Sequence, residues 1–179
     1  MTPLVHAETI GRIRVIAADN PPVNALSDAL QDGLHTAVAA AEGDTKIDGI
    51  VITGAGRTFV AGADIRALEA YAWKADAPKP ELRPIITRVE RCTKPVVMAI
   101  HGVALGGGLE LAMGGHFRVA HASARLGLPE CTLGVIPGAE GTQRLPRLAG
   151  VAKALEMIVT SEPLDARTAL AHGIVDEVV

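Results

Sequence analysis

Two carboxylates and two glycine-marked segments are the parts of this sequence whose types and spacing could do chemistry. Glu110 comes one residue after Gly106-Gly107-Gly108 in otherwise apolar sequence, and Glu130 sits in the equally apolar Leu128-Pro129-Glu130. Carboxylates are seldom placed in such surroundings without a partner or a purpose. Paired across a pocket, one ionised and one protonated, they would supply base and acid at neutral pH, because burial and mutual repulsion separate their titrations. The plainer reading is that each carboxylate caps a helix or meets an arginine, with Arg118, Arg125 and Arg144 as candidates.

The glycine segments run from Phe59 to Ile65 and from His101 to Glu110. Glycine lets backbone approach a ligand closely, and the first N–H groups of a helix are unpaired and carry positive partial charge. Two such donors converging on a thioester carbonyl would form an oxyanion hole, in which losing one donor typically costs about 3 to 4 kcal/mol of transition-state stabilisation. Taken singly, either cluster could equally serve tight turns and close helix packing. The triple glycine has neither the dinucleotide G-x-G-x-x-G spacing nor the Walker form, so a phosphate loop is not expected. Asp64 reads most simply as the cap of a following helix.

Other chemistries find little support. The histidines His6, His35, His101, His116, His121 and His172 show no metal-ligand spacing, and no metal site is expected. Cys92 and Cys131 lack a nucleophile signature, and no G-x-S-x-G elbow is present. With two cysteines and no signal peptide, the expected setting is reducing and cytoplasmic.

The elements that must position these groups alternate between strand and helix periods, the pattern of an α/β fold with crossover connections. Strands are predicted over 13–18, 47–53, 95–100, 117–120 and 126–128. Ser27 is the expected N-cap of a helix whose Leu30, Leu34, Val38 and Ala41 share one face and which Gly43 closes. Further helices are predicted over 85–92 and 109–113, and the chain turns largely helical after Pro137, through Leu145, Val151–Val159 and Ala166–His172. Residues 71–84, rich in Lys, Ala, Asp and Pro, read as a loop or broken helix, and no internal repeat is visible.

Composition narrows the function further. The 179 residues are 49% apolar and 21% charged, enough for one domain with a real core. A net charge of −3 provides no global basic field, and only four aromatic residues are present, so neither nucleic acid nor an anionic membrane surface is an expected partner. The most apolar stretch, 95–109, is shorter than the roughly 20 residues a spanning helix needs.

Together with Asn20-Pro21-Pro22-Val23-Asn24-Ala25-Leu26, Lys94 to Gly102, Gly106 to Met113, Leu128-Pro129-Glu130 and Gly134 to Leu145, the Phe59–Ile65 segment resembles the crotonase superfamily, also called the enoyl-CoA hydratase/isomerase family. In order and spacing the likeness covers nearly the whole chain. It implies a single crotonase-like domain over 1–179, a spiral of ββα units that binds an acyl-CoA thioester. On this resemblance the backbone N–H groups of Ala63 and Gly107 hold the carbonyl oxygen. Glu110, with base character, and Glu130, with acid character, activate a water that adds at C3 of a 2-trans-enoyl-CoA while a proton reaches C2. Ala25, Leu26, Ala61, Gly62, Asp64, Ile65 and Gly106 fall where family members contact the CoA substrate. No separate cofactor is implied, since CoA is carried by the substrate.

The presence of both glutamates favours a hydratase (a lyase) over the isomerases of the family, which commonly keep only the second. Δ3,Δ2-enoyl-CoA isomerisation, alone or in addition, and a non-catalytic acyl-CoA-binding or assembly domain are the alternatives. The wording of Asn20–Ser27 and Glu140–Gly150 is most similar to the N-terminal part of bifunctional fatty-acid oxidation enzymes, which continue into an NAD-dependent 3-hydroxyacyl-CoA dehydrogenase. Glu140 stands where the family frequently has glycine. The chain ends at Val179, before the family's C-terminal helices, so a domain truncated at that end is expected. The expected assembly is a homotrimer, or a longer polypeptide with the dehydrogenase part attached.

Overall fold

The computed structural model describes residues 3–64 and 81–179. A hairpin opens the chain: β1 (Val5–Ile10) pairs antiparallel with β2 (Ile13–Ala18). Helix α1 (Asp28–Gly43) follows, with the Ser27 side chain accepting from the Leu30 N–H at its start. Its Leu30, Leu34, Val38 and Ala41 are buried as their spacing predicts.

From there strands come in pairs that cross between two sheets. β3 (Gly49–Gly54) lies in a six-stranded sheet and β4 (Val60–Ala61) in a four-stranded one. β5 (Val96–Ile100) and β6 (Val103–Leu105) repeat that step, as do β7 (Phe117–Ala120) and β8 (Arg125–Gly127). Helix α2 (Arg83–Glu90) precedes the second pair, α3 (Gly107–Met113) follows it, and a 3-10 turn (Pro129–Leu133) follows the third. The rest of the chain is α4 (Gly141–Ala149), α5 (Val151–Thr160), β9 (Leu164–Asp165), α6 (Ala166–Ala171) and β10 (Glu177–Val178).

In the larger sheet the order is β1-β2-β3-β5-β7-β10, and every neighbouring pair except β1 with β2 is parallel. The smaller sheet runs β4-β6-β8-β9, with only β9 antiparallel. This is the α/β spiral of ββα steps that the resemblance implies. Each turn displaces the next strand pair by one place in both sheets, so strand exits from successive turns end side by side. The core between the larger sheet and its helices is aliphatic, with Ile16, Ile52, Met98, Leu34 and Ile86 all at most 1% exposed.

Several boundaries differ from the predicted ones. Helix α2 begins at Arg83, taking in Pro84, whose missing N–H costs nothing in a first turn. The remainder of the predicted loop, 71–80, lies outside the described residues. The triple glycine contributes to the helix itself, which starts at Gly107 rather than Leu109. Strands β1, β4, β6, β9 and β10 have no counterpart among the predicted ones. All are short or polar, and their hydrogen bonds depend on partners far away in sequence.

Candidate active site

The two glycine segments meet. Leu26 and Ala63 form an isolated parallel bridge, with the Leu26 N–H donating to the Gly62 carbonyl at 3.0 Å. On the neighbouring turn, Gly107 begins α3, where its N–H has no intrahelical acceptor. A Cβ added to Gly107 would lie 3.4 Å from the Ala63 nitrogen and 3.7 Å from Leu26 Cδ1, and would overlap Leu82 Cδ1. Among the described residues, no hydrogen bond uses the N–H of Ala63 or of Gly107. Two free amides from adjacent turns therefore sit side by side, the arrangement an oxyanion hole requires.

The triple glycine divides its duties. Gly106 adopts φ 52°, ψ −127°, a conformation open essentially to glycine alone, and a Cβ there would come 3.0 Å from Glu130 Oε1. Gly107 leaves room beside the Ala63 amide. A Cβ on Gly108 would overlap the Val60 carbonyl oxygen, so this third glycine serves the packing of α3 against β4. Within the cluster, close packing thus accounts for Gly108, while Gly107 leaves space beside a neighbouring backbone amide.

Glu110 lies one turn further along α3 and is 2% exposed. Its Oε1 accepts from the N–H groups of Ala139 at 2.8 Å and Gly141 at 2.7 Å, just where α4 begins. Glu110 thus meets backbone, as a helix cap would, and none of the three candidate arginines pairs with it. Gly141 is needed for this approach, because a Cβ on it would stand 2.8 Å from Glu110 Oε1. Burial raises the Glu110 carboxyl above the usual range, and the two amide donors pull against that rise.

Glu130 is carried on the 3-10 turn after β8, and its Oε2 is buried without a hydrogen-bond partner. Burial pushes its carboxyl up to about 7, and the charge of Glu110 adds to the effect. Arg118 pairs instead with Asp176 at 2.9 Å, and Arg144 with Glu90 and Glu140. A half-buried carboxyl pushed upward by desolvation, with a shielded and unpartnered oxygen, is well suited to hold or release a proton.

The other expected site residues are placed as follows. Ala61 N–H donates to the Val23 carbonyl at 3.0 Å, and the Ala25 carbonyl accepts from Asn20 Nδ2 at 2.7 Å, so both belong to the wall that carries Ala63. Gly62 has φ 89° and Asp64 closes the first described stretch. Ile65, and the helix that Asp64 would cap, lie outside the described residues.

Asn24 is a residue whose importance the motifs did not signal. It is 2% exposed and its Nδ2 reaches the carbonyls of Ala55, Thr58 and Phe59 at 3.0, 2.9 and 3.2 Å, while Oδ1 accepts from Asn20 N–H at 2.9 Å. The sequence offers only its place within Asn20–Leu26; in the structure its φ is 55°, in the left-handed region that asparagine tolerates better than most residues.

Fold and site together define a crotonase-type spiral in which two backbone amides lie near a buried and a half-buried carboxyl. Comparison with known proteins agrees: the profile of the enoyl-CoA hydratase/isomerase family matches residues 8–179, and the chain belongs to that family. A probable enoyl-CoA hydratase of Bacillus subtilis (strain 168) is 46% identical over 165 residues, 91% of this chain and 64% of that protein. The peroxisomal bifunctional enzyme of Cavia porcellus is 48% identical over 176 residues, 98% of this chain but 23% of that protein. Among solved structures, the enoyl-CoA hydratase of Bacillus anthracis superposes with a TM-score of 0.89 at 36% identity, covering 98% of this chain and 70% of that one. The chain therefore spans less than two thirds of the curated relatives' length, and about a quarter of the bifunctional ones. Relatives come from peroxisomal enzymes as well as from a bacterium. No helix among the described residues is long and apolar enough to cross a membrane.

Proposed function

We propose that this chain hydrates 2-trans-enoyl-CoA thioesters to 3-hydroxyacyl-CoA in fatty-acid oxidation. The observation that carries the reading is the convergence of the Ala63 and Gly107 amides near the buried Glu110 carboxyl and the half-buried Glu130, whose Oε2 is shielded from solvent. The thioester oxygen is held by the two N–H groups, which stabilise the enolate charge as it forms. Glu110, fixed through Oε1 by the Ala139 and Gly141 amides, takes a proton from water as the water oxygen bonds to C3. Glu130, protonated up to about pH 7, gives its proton to C2 as the enolate collapses. Metal and redox cofactors have no role in these steps, and CoA arrives with the substrate.

Isomerisation of Δ3- to Δ2-enoyl-CoA is a second reading, favoured by the buried, unpartnered Oε2 of Glu130. Through the same enolate, that carboxyl would move a proton between C2 and C4. In its biological setting the chain is either one copy of a homotrimer or the first part of a polypeptide that also carries a 3-hydroxyacyl-CoA dehydrogenase. The latter is supported by the 22–23% of the vertebrate bifunctional enzymes that it spans.

The deciding experiment follows loss of the conjugated-thioester absorbance of crotonyl-CoA and of a longer 2-enoyl-CoA, with wild type, Glu110→Gln and Glu130→Gln all shown to be folded. Turnover in wild type that falls by about 10² or more in both variants supports the hydratase reading. Isomerase activity that survives Glu110→Gln while hydration is lost supports the second. Tight acyl-CoA binding with no turnover of either substrate, unchanged in both variants, would mean a binding domain instead.

A further inference from the structure

Glu140 has a backbone conformation that is costly for any side chain, at φ 73°. It stands between Ala139 and Gly141, the two residues whose N–H groups hold Glu110 Oε1 at 2.8 and 2.7 Å. Its own carboxylate reaches Arg144 at 2.7 Å, one turn into α4. The Arg144 guanidinium also makes a two-pronged contact with Glu90 at the end of α2, at 2.8 and 3.0 Å, and is 14% exposed. A cation clamped by two carboxylates thus ties α2 to α4 beside the peptide that presents the amides.

We propose that Glu140 is a positioning residue for Glu110: through Arg144 and Glu90 it locks the Ala139–Gly141 peptide that holds the Glu110 carboxyl. A glycine would meet the backbone requirement without strain, so conformation alone does not account for a glutamate here. What the side chain adds is the ion pair and the charge. The charged groups facing Glu110 are Glu130 from the 3-10 turn and Arg144 and Glu140 from the start of α4. Arg144 favours the ionised form of Glu110 and Glu140 opposes it, the arginine more strongly. The assignment rests on Glu110 being a catalytic carboxyl, but its test does not require turnover.

The test is a carboxyl-carbon NMR titration of Glu110 in wild type, Glu140→Gln and Glu140→Gly, with Glu110→Gln identifying the signal. Hydrogen exchange of the Ala139 and Gly141 amides is measured on the same proteins. Glu140→Gly keeps the backbone conformation accessible, which guards against a variant that fails only because it misfolds. The expected result is exchange of the two amides accelerated about tenfold in both variants, with the Glu110 midpoint moved from its wild-type value as the donors loosen. An unchanged midpoint and unchanged exchange in both folded variants would overturn the proposal. If wild type shows no enoyl-CoA turnover, the hydratase reading fails while the titration still decides the role of Glu140.

Discussion

A Cβ on Gly107 would stand 3.4 Å from the Ala63 nitrogen, so the two backbone segments proposed to form the anion hole, 44 residues apart in sequence, are in near contact. Residues this remote in sequence are brought together because β4 and β6 lie next to each other in the smaller sheet. Gly107→Ala would intrude on that space, and the overlapping Leu82 methyl sits at the free end of a side chain and can move. The expected outcome is a fold kept within about 1 kcal/mol and turnover reduced by about 10²-fold, as for loss of one oxyanion donor. Gly108→Ala is the contrasting case. Its Cβ would overlap backbone at Val60, so a loss of about 3 kcal/mol or more in urea unfolding is expected.

The raised Glu130 carboxyl predicts the alkaline limb of activity. As pH climbs through about 7, Glu130 loses the proton that the hydration step delivers to C2, and kcat/KM declines. A profile recorded with crotonyl-CoA checks this. A rate still rising well above neutrality would assign the acid role elsewhere.

The same group links stability to pH. In the folded chain Glu130 stays protonated to about pH 7, whereas unfolded it ionises near the usual 4.5. Between those values the folded state binds the extra proton, so stability is greatest below the lower value and is lost as pH rises toward the upper one. Thermal melting of wild type and Glu130→Gln at about pH 5 and about pH 8 measures the effect. The melting temperature of the variant is expected to fall less across that interval, by a few degrees.

Asn24 joins the 20–26 turn to the backbone that leads into β4. Replacement by alanine orphans the carbonyls of Ala55, Thr58 and Phe59 and leaves a non-glycine, non-asparagine residue at positive φ. A destabilisation of about 2 to 4 kcal/mol in denaturant unfolding is expected. Because Ala61 and Gly62 are bonded to this same turn, KM for acyl-CoA should rise more than kcat falls.

Local chemistry made much of this molecule legible from sequence. Strands β2 and β7 have the predicted ends, Ser27 caps α1, and the two glycine segments lie in near contact, with Glu130 beside Gly106. What was hidden depends on the third dimension. Nothing near Glu110 announces that Ala139 and Gly141, about 30 residues later, supply its donors. Two-residue strands such as β4 and β9 carry no period of their own and exist because a neighbour pairs with them. The repeat is likewise topological rather than textual. Each turn of the spiral packs against different surroundings, so its residues are free to diverge while the path of the chain recurs.

The spiral also governs how the site comes into being. Ala63 arrives from the first turn, Gly107 with Glu110 from the second, and Glu130 with the Ala139–Gly141 peptide from the third, and every close approach among them crosses from one turn to another. No contiguous stretch shorter than 63–141 carries all of them. During refolding, helix content would return before the last turn has docked, and catalysis only afterwards. Turnover would then report the last assembly step of the domain, a clock that spectroscopic probes of secondary structure run ahead of.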